Sequence, residues 1–169
     1  MAITRRAVVT GLIGIGAAGQ AAAASLSPIT GRPILTVSGR IKIFNAGETA
    51  VFDRPLLESL GMTGFVTTTP WYDGPVRFDG VPMARLMEAV GATGETLIAT
   101  ALNDYETRIP VSDLAEFGVL LALKRNNEYM PVRDKGPLFI VYPFDSNRAL
   151  KNQKYYSRSA WQLARIVVA

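Results

Sequence analysis

Gly136-Pro137-Leu138-Phe139-Ile140-Val141-Tyr142-Pro143-Phe144-Asp145 is the stretch on which the reading of the fold turns. Leu138 to Tyr142 is an unbroken apolar and aromatic run whose β-branched Ile140 and Val141 suit a strand buried on both faces. Gly136-Pro137 opens it and Pro143 closes it, because proline cannot continue a ladder. Arg133, Asp134 and Lys135 precede the run, and Asp145, Asn147 and Arg148 follow it. A buried strand with polar residues at both ends can line a pocket. It is equally what a core strand between two solvated loops looks like.

Outward from that strand, the 169 residues are 49% hydrophobic and 19% charged, which suits one domain with a substantial core. The chain has no cysteine and no histidine. Disulfides, cysteine nucleophiles, thiolate metal sites and histidine bases are thereby excluded. Residues 1–24 read as a cleavable export signal, with Arg5-Arg6, an apolar run from Ala7 to Gly19 and small residues Ala21 to Ala24. The apolar run is short for a membrane span. Thr4 to Val9 also fits a loose twin-arginine signal, so both export routes stay open, and the expected destination is the periplasm. Removing Arg5 and Arg6 from the 18 basic residues leaves 16 against 14 acidic ones, a net charge of +2. No basic cluster of the kind a nucleic-acid surface needs remains.

The domain is expected over residues 25–169. Ile34 to Phe44 reads as a half-exposed strand, and Asp53 as the cap of a short helix with Pro55 in its first turn and Gly61 beyond its end. Met62 to Thr69 is strand-like, and Trp71 to Pro75 reads as a loop. Met83, Leu86, Met87 and Val90 have the spacing of one helical stripe. Thr96 to Leu102, Val119 to Leu123 and Trp161 to Val168 read as strands, Pro110 marks an edge, and Asn126-Asn127 suits a hairpin turn. The expected class is α+β: a single mixed-sheet domain with two or three short helices.

Thr67-Thr68-Thr69-Pro70-Trp71, Asn103-Asp104-Tyr105, Arg133-Asp134-Lys135 and Tyr155-Tyr156-Ser157-Arg158 all sit at ends of expected strands. If they converge, they make a pocket with aromatic walls, a carboxylate and cations. That suits a flat hydrogen-bonding heterocycle such as a pterin, whose adjacent N–H groups one carboxylate can grip. Each feature also has a plain structural reading: Trp71 and Trp161 as core, Asp104 as a turn residue bonding its own backbone, Arg158 as a solvated cation.

Thr69-Pro70-Trp71, Phe78-x-Gly80-Val81, Leu102 to Tyr105, Val119 to Ala122, Gly136-Pro137-Leu138 and Trp161-Gln162-Leu163 together resemble the oxidoreductase molybdopterin-binding domain, the sulfite-oxidase fold. The resemblance runs from about Pro33 to Val168. It implies a mixed α+β domain that holds a pterin cofactor among its loops. In catalytic members of that family a cysteine ligates molybdenum in a motif like Cys-x-x-x-Trp; four residues before Trp71 stands Thr67. A threonine hydroxyl is a poor donor for that soft-ligand position. The segment Tyr155 to Leu163 resembles the short periplasmic pterin-response proteins. That branch implies a metal-free pterin and docking on the periplasmic domain of a membrane-bound cyclic-di-GMP enzyme, without catalysis. On this resemblance Trp71 and Tyr156 are candidate stacking groups, Asp104 the candidate carboxylate, and Arg133, Lys135 and Arg158 candidate polar contacts. Thr67 and Tyr105 complete the candidate cofactor-binding set. The alternative is a molybdopterin-dependent oxidoreductase, or a molybdenum-cofactor protein, that lacks the cysteine ligand. A member of the fold that binds only protein is the third possibility.

Overall fold

A computed structural model describes residues 26–169. The export-signal reading of residues 1–24 lies outside the described residues. Two five-stranded sheets share one core. The first runs in the order β2 (Ala50–Phe52), β1 (Leu35–Gly39), β10 (Leu163–Val168), β5 (Thr96–Ala101), β6 (Glu106–Pro110). Its β1–β10 pair is parallel, and its other pairs are antiparallel. The second runs β3 (Thr63–Thr69), β4 (Tyr72–Pro82), β7 (Leu120–Arg125), with β8 (Glu128–Tyr129) and β9 (Phe139–Val141) both pairing with β7. The short helices are α1 (Arg54–Ser59), α2 (Met83–Ala89), α3 (Val111–Phe117) and α4 (Gln153–Arg158). The class is α+β. No helix among the described residues is long and apolar enough to cross a membrane.

The central run behaves as its composition demands. Leu138, Phe139, Ile140, Val141 and Tyr142 are fully buried, and β9 pairs Phe139 with Ala122 and Val141 with Leu120. Gly136 at its start lies so close to the Met130 carbonyl that any Cβ would collide with it. Asp53 caps α1 by accepting from Leu56 N–H at 2.9 Å, and the same carboxylate accepts from Thr30 and Gly31 N–H. The Leu56 bond is the main reason its pKa is held below the usual value. Asn126 and Asn127, at φ 50° and 68°, make the tight β7–β8 turn.

Five segments differ from expectation, each for a local reason. The strand expected over 34–44 stops at Gly39, where φ is 87° and a Cβ would collide with the Val168 carbonyl. Tyr72 to Pro75 is the start of the long strand β4, not a loop. Only Phe78 to Pro82 pair with β7, so Gly74 and Pro75 sit on a two-stranded ribbon where a missing N–H costs no second ladder. Val111 turns directly into α3 after Pro110, and Tyr155 to Arg158 lie in α4, started by an Asn152 side-chain cap. Trp161 stands outside β10 and makes only an isolated bridge to Phe139.

Candidate functional site

The ends of β3 and β5, the start of β10 and helix α4 surround a cleft of about 310 Å³. Trp71, Tyr156 and Trp161 form its aromatic wall, and Asn103, Gln153 and Ser157 supply its polar groups. Gln153, Tyr156 and Ser157 fall three and four residues apart, so a single face of α4 presents them together. Trp71 is the hub. Its ring meets Phe139, Phe144, Tyr156 and Trp161 edge to face, with centroids 5.5, 6.1, 6.0 and 5.5 Å away. Tyr105 closes the opposite wall by donating its hydroxyl to the Ser157 carbonyl at 2.7 Å.

The cleft is neutral. Among the described residues, none that lines it is charged. The Ser157 and Ser159 hydroxyls donate to the carbonyls of Lys154 and Tyr155, and Asn103 Oδ1 accepts from Tyr105 N–H. The polar edge offered to a ligand is therefore mainly the amides of Asn103 and Gln153. The cavity is at the lower end of the size range of ligand pockets, roughly 300–1,000 Å³.

Of the eight candidate residues, the structure brings Trp71, Tyr105 and Tyr156 to the cleft. Thr67 is wholly buried in β3, three residues before the first lining residue Pro70, where its hydroxyl accepts from Asp145 N–H at 3.0 Å and donates to the Thr68 carbonyl at 3.3 Å. Asp104 lies between two lining residues but has φ 61°, which swings it away, toward a 3.4 Å contact with Arg165. Arg158 donates to Asp113 at 2.6 Å instead of reaching the cleft, and Tyr142 donates to the same carboxylate oxygen at 2.8 Å. Burial, then that bond to Asp113, raises the Tyr142 pKa well above its ordinary value. Arg133 is exposed on the turn Val132–Asp134. Lys135 lies 4.8 Å from the ring centre of Tyr72 and 5.4 Å from that of Trp161, outside the lining. The carboxylate-and-cation pocket expected from residue types is thus an aromatic, amide-edged one. Ser157 belongs to a segment expected at the pocket, whereas Gln153 is missed because its stretch reads as a lead-in to the last strand; the Asn152 cap with the i, i+3, i+4 spacing is the available signal.

The molecule is thus an α+β domain with a neutral aromatic cleft at its strand ends. Residues 56–156 match the family described as the oxidoreductase molybdopterin binding domain, and the chain belongs to that family. The fold resembles the sulfane dehydrogenase SoxCD from Paracoccus pantotrophus, with a TM-score of 0.61 and 17% identity over 79% of this chain. That likeness covers 37% of the SoxCD chain, and at this identity it speaks for the fold. A search of curated protein sequences finds no match.

A molybdenum-loaded cofactor fits the residues present poorly. The position four before Trp71 holds a hydroxyl whose hydrogen bonds are already committed, and the chain has no thiol anywhere. Among the described residues there is no group of three or more His, Cys, Asp or Glu able to hold a metal ion. The cleft also presents no cation to a cofactor phosphate.

Proposed function

We propose that this domain binds a simple, metal-free pterin in the aromatic cleft and acts without catalysis, as a periplasmic sensor that docks on a membrane-bound cyclic-di-GMP enzyme. The observation that carries the ligand assignment is the neutrality of the cleft. An uncharged bicyclic ring stacks on Trp71 or Tyr156 at no electrostatic cost, while a phosphorylated cofactor would be buried without a counter-charge. The Gln153 amide oxygen, and the second lone pair of Asn103 Oδ1 beyond its bond from Tyr105 N–H, serve as acceptors for the adjacent N–H groups of the pterin pyrimidine ring in place of a carboxylate. The periplasmic setting and the docking partner rest on the export-like first 24 residues and on the resemblance of Tyr155 to Leu163 to pterin-response proteins.

Calorimetric titration with 6-hydroxymethylpterin tests the reading. Tyr156→Ala is expected to weaken binding roughly 5- to 150-fold, the equivalent of losing about 1–3 kcal/mol of ring stacking. No heat of binding to the folded parent protein at millimolar pterin would sink the assignment. A second reading, an oxidoreductase domain carrying molybdenum, is favoured by the family itself. Stoichiometric molybdenum in protein purified from its native compartment would install it; a metal-free pterin in the released fraction would remove it.

A further inference from the structure

A second cavity, of about 790 Å³, lies on the other side of the Leu102–Tyr105 turn from the cleft. Four chain segments, residues 31–36, 53–55, 130–132 and 163–165, form it together with Leu102 and Pro137. Its chemistry is the opposite of the cleft's. Arg32, Arg54 and Arg165 line it, and Asp53 is its sole carboxylate among the described residues. Asp53 is buried and already accepts from three backbone N–H groups, so it offers little countercharge to a visitor. Among the described residues, Arg165 makes only the long 3.4 Å contact with the exposed Asp104. Between the arginines the surface is apolar, and Leu102 and Val132 stand out among the exposed large hydrophobic residues.

The groove is also stiff. Pro33, Pro55, Pro131 and Pro137 fix its walls, so little ordering entropy remains to be lost when something binds. The β1–β10 ladder begins only at the Thr36–Arg165 pair, and the β10–β5 register slips between Leu163 and Arg165. Ile34, Leu35 and Ala164 therefore lie in the groove ahead of that ladder. Arg54 rests 4.0 Å over the Tyr129 ring and Arg165 has only a long contact with the exposed Asp104, so neither is matched by a buried carboxylate, and exposed hydrophobic side chains among such cations select a ligand that is both acidic and apolar. The length over four segments fits a chain, where the smaller cleft fits a ring.

We infer that the groove between the starts of β1 and β10 and the Met130–Val132 turn is a docking site for an extended acidic segment of a partner protein, with its carboxylates on Arg32, Arg54 and Arg165 and its apolar side chains on Leu102 and Val132. This inference does not depend on what occupies the aromatic cleft.

The test is a titration of the 15N-labelled protein with an acetylated peptide, Glu-Leu-Asp-Val-Glu-Leu, followed by amide chemical shifts. The expected result is a set of saturable shifts at Leu102, Val132 and Ala164. Affinity should fall about tenfold or more in the Arg32→Glu/Arg165→Glu double variant, and fall again as salt is raised through about 0.15 M. Leu102→Gln, which leaves every charge in place, should weaken the peptide as well. If the double variant does not fold, Arg32→Gln alone carries the charge arm, with a smaller loss in the same direction. Three results would overturn the inference. One is no shift at millimolar peptide. Another is equal shifts with Lys-Leu-Lys-Val-Lys-Leu. The third is the same shifts produced by succinate at the same concentration, which would make the groove a small-anion site.

Discussion

Two carboxylate–guanidinium pairs stand beside the cleft, each next in sequence to residues that line it, and they have opposite fates. Asp113 and Arg158 join α3 to the end of α4 with side chains only 8% and 15% exposed, 2.6 Å apart, and share their oxygen with the Tyr142 hydroxyl. Asp104 and Arg165 meet at 3.4 Å with side chains 87% and 56% exposed. The chemistry is the same in both; the surrounding dielectric is not. A buried pair cannot lose one member without stranding a charge, whereas an exposed pair trades its partner for water. The first pair therefore holds the helix that presents Gln153, Tyr156 and Ser157, and the second holds little. Between them stands a third pair, Asp145–Lys151, partly exposed, with Asp145 also accepting from the N–H and hydroxyl of Thr68.

The largest effect is expected from breaking the buried pair. Arg158→Met should cost on the order of 3 kcal/mol in urea unfolding, because Asp113 keeps its burial and loses its cation. The comparison sharpens if the whole network is made apolar. The triple variant Asp113→Leu, Arg158→Met, Tyr142→Phe should recover most of that loss, since no charge or hydroxyl is then left stranded. A triple variant as unstable as the single one would show that packing, not charge, sets the cost.

The middle pair carries the pH dependence. Lys151, then the Thr68 N–H and hydroxyl, hold the Asp145 carboxyl down to about 2 from 3.8. A carboxylate whose pKa is lowered in the folded state stabilises above the unfolded value. Its contribution shrinks as pH falls below about 3.8 and is gone once pH passes below about 2. Unfolding free energies measured at pH 5, 3 and 2 should fall less steeply in Asp145→Asn than in the parent. Parallel curves would remove Asp145 from the acid response. The smallest effect belongs to Asp104→Asn, which keeps a residue tolerant of φ 61° and deletes only the exposed charge. Its stability should stay within about 0.5 kcal/mol of the parent, and its pterin affinity should be unchanged. A tenfold loss of affinity would bring Asp104 back into the site.

The same pairs show how far residue type can be read from sequence. Residue type alone makes Asp104 and Arg158 ligand contacts, because a carboxylate and a cation suit a pterin edge. Neither burial nor the direction of a turn is written in residue type. Where a local rule governs, the reading transfers: Leu138 to Tyr142 is the buried centre, Asp53 caps α1, and Met83, Leu86 and Met87 face the core. Where tertiary context governs, it does not. Gly74 and Pro75 signal a turn, yet they extend a strand because only one neighbour pairs there. The partner of Arg158 lies 45 residues away in a helix whose proline start reads as a strand edge. Trp71 was legible as an aromatic of the site, but its four edge-on ring partners come from segments as distant as Trp161.

The antiparallel pairing of β5 with β10 gives the molecule two chemically distinct ends. Both cavities gather where β5 finishes and β10 begins, at Leu102, Asn103, Trp161 and Leu163. The far end of β10 is tied down by Val168 pairing with Leu97 and by Ala169 bonding Thr96, six residues and roughly 20 Å along the strand. A linker, fluorophore or solid support attached there leaves both cavities facing away from the attachment. On a solid support the domain would present the aromatic cleft and the arginine-lined groove together to the passing solution.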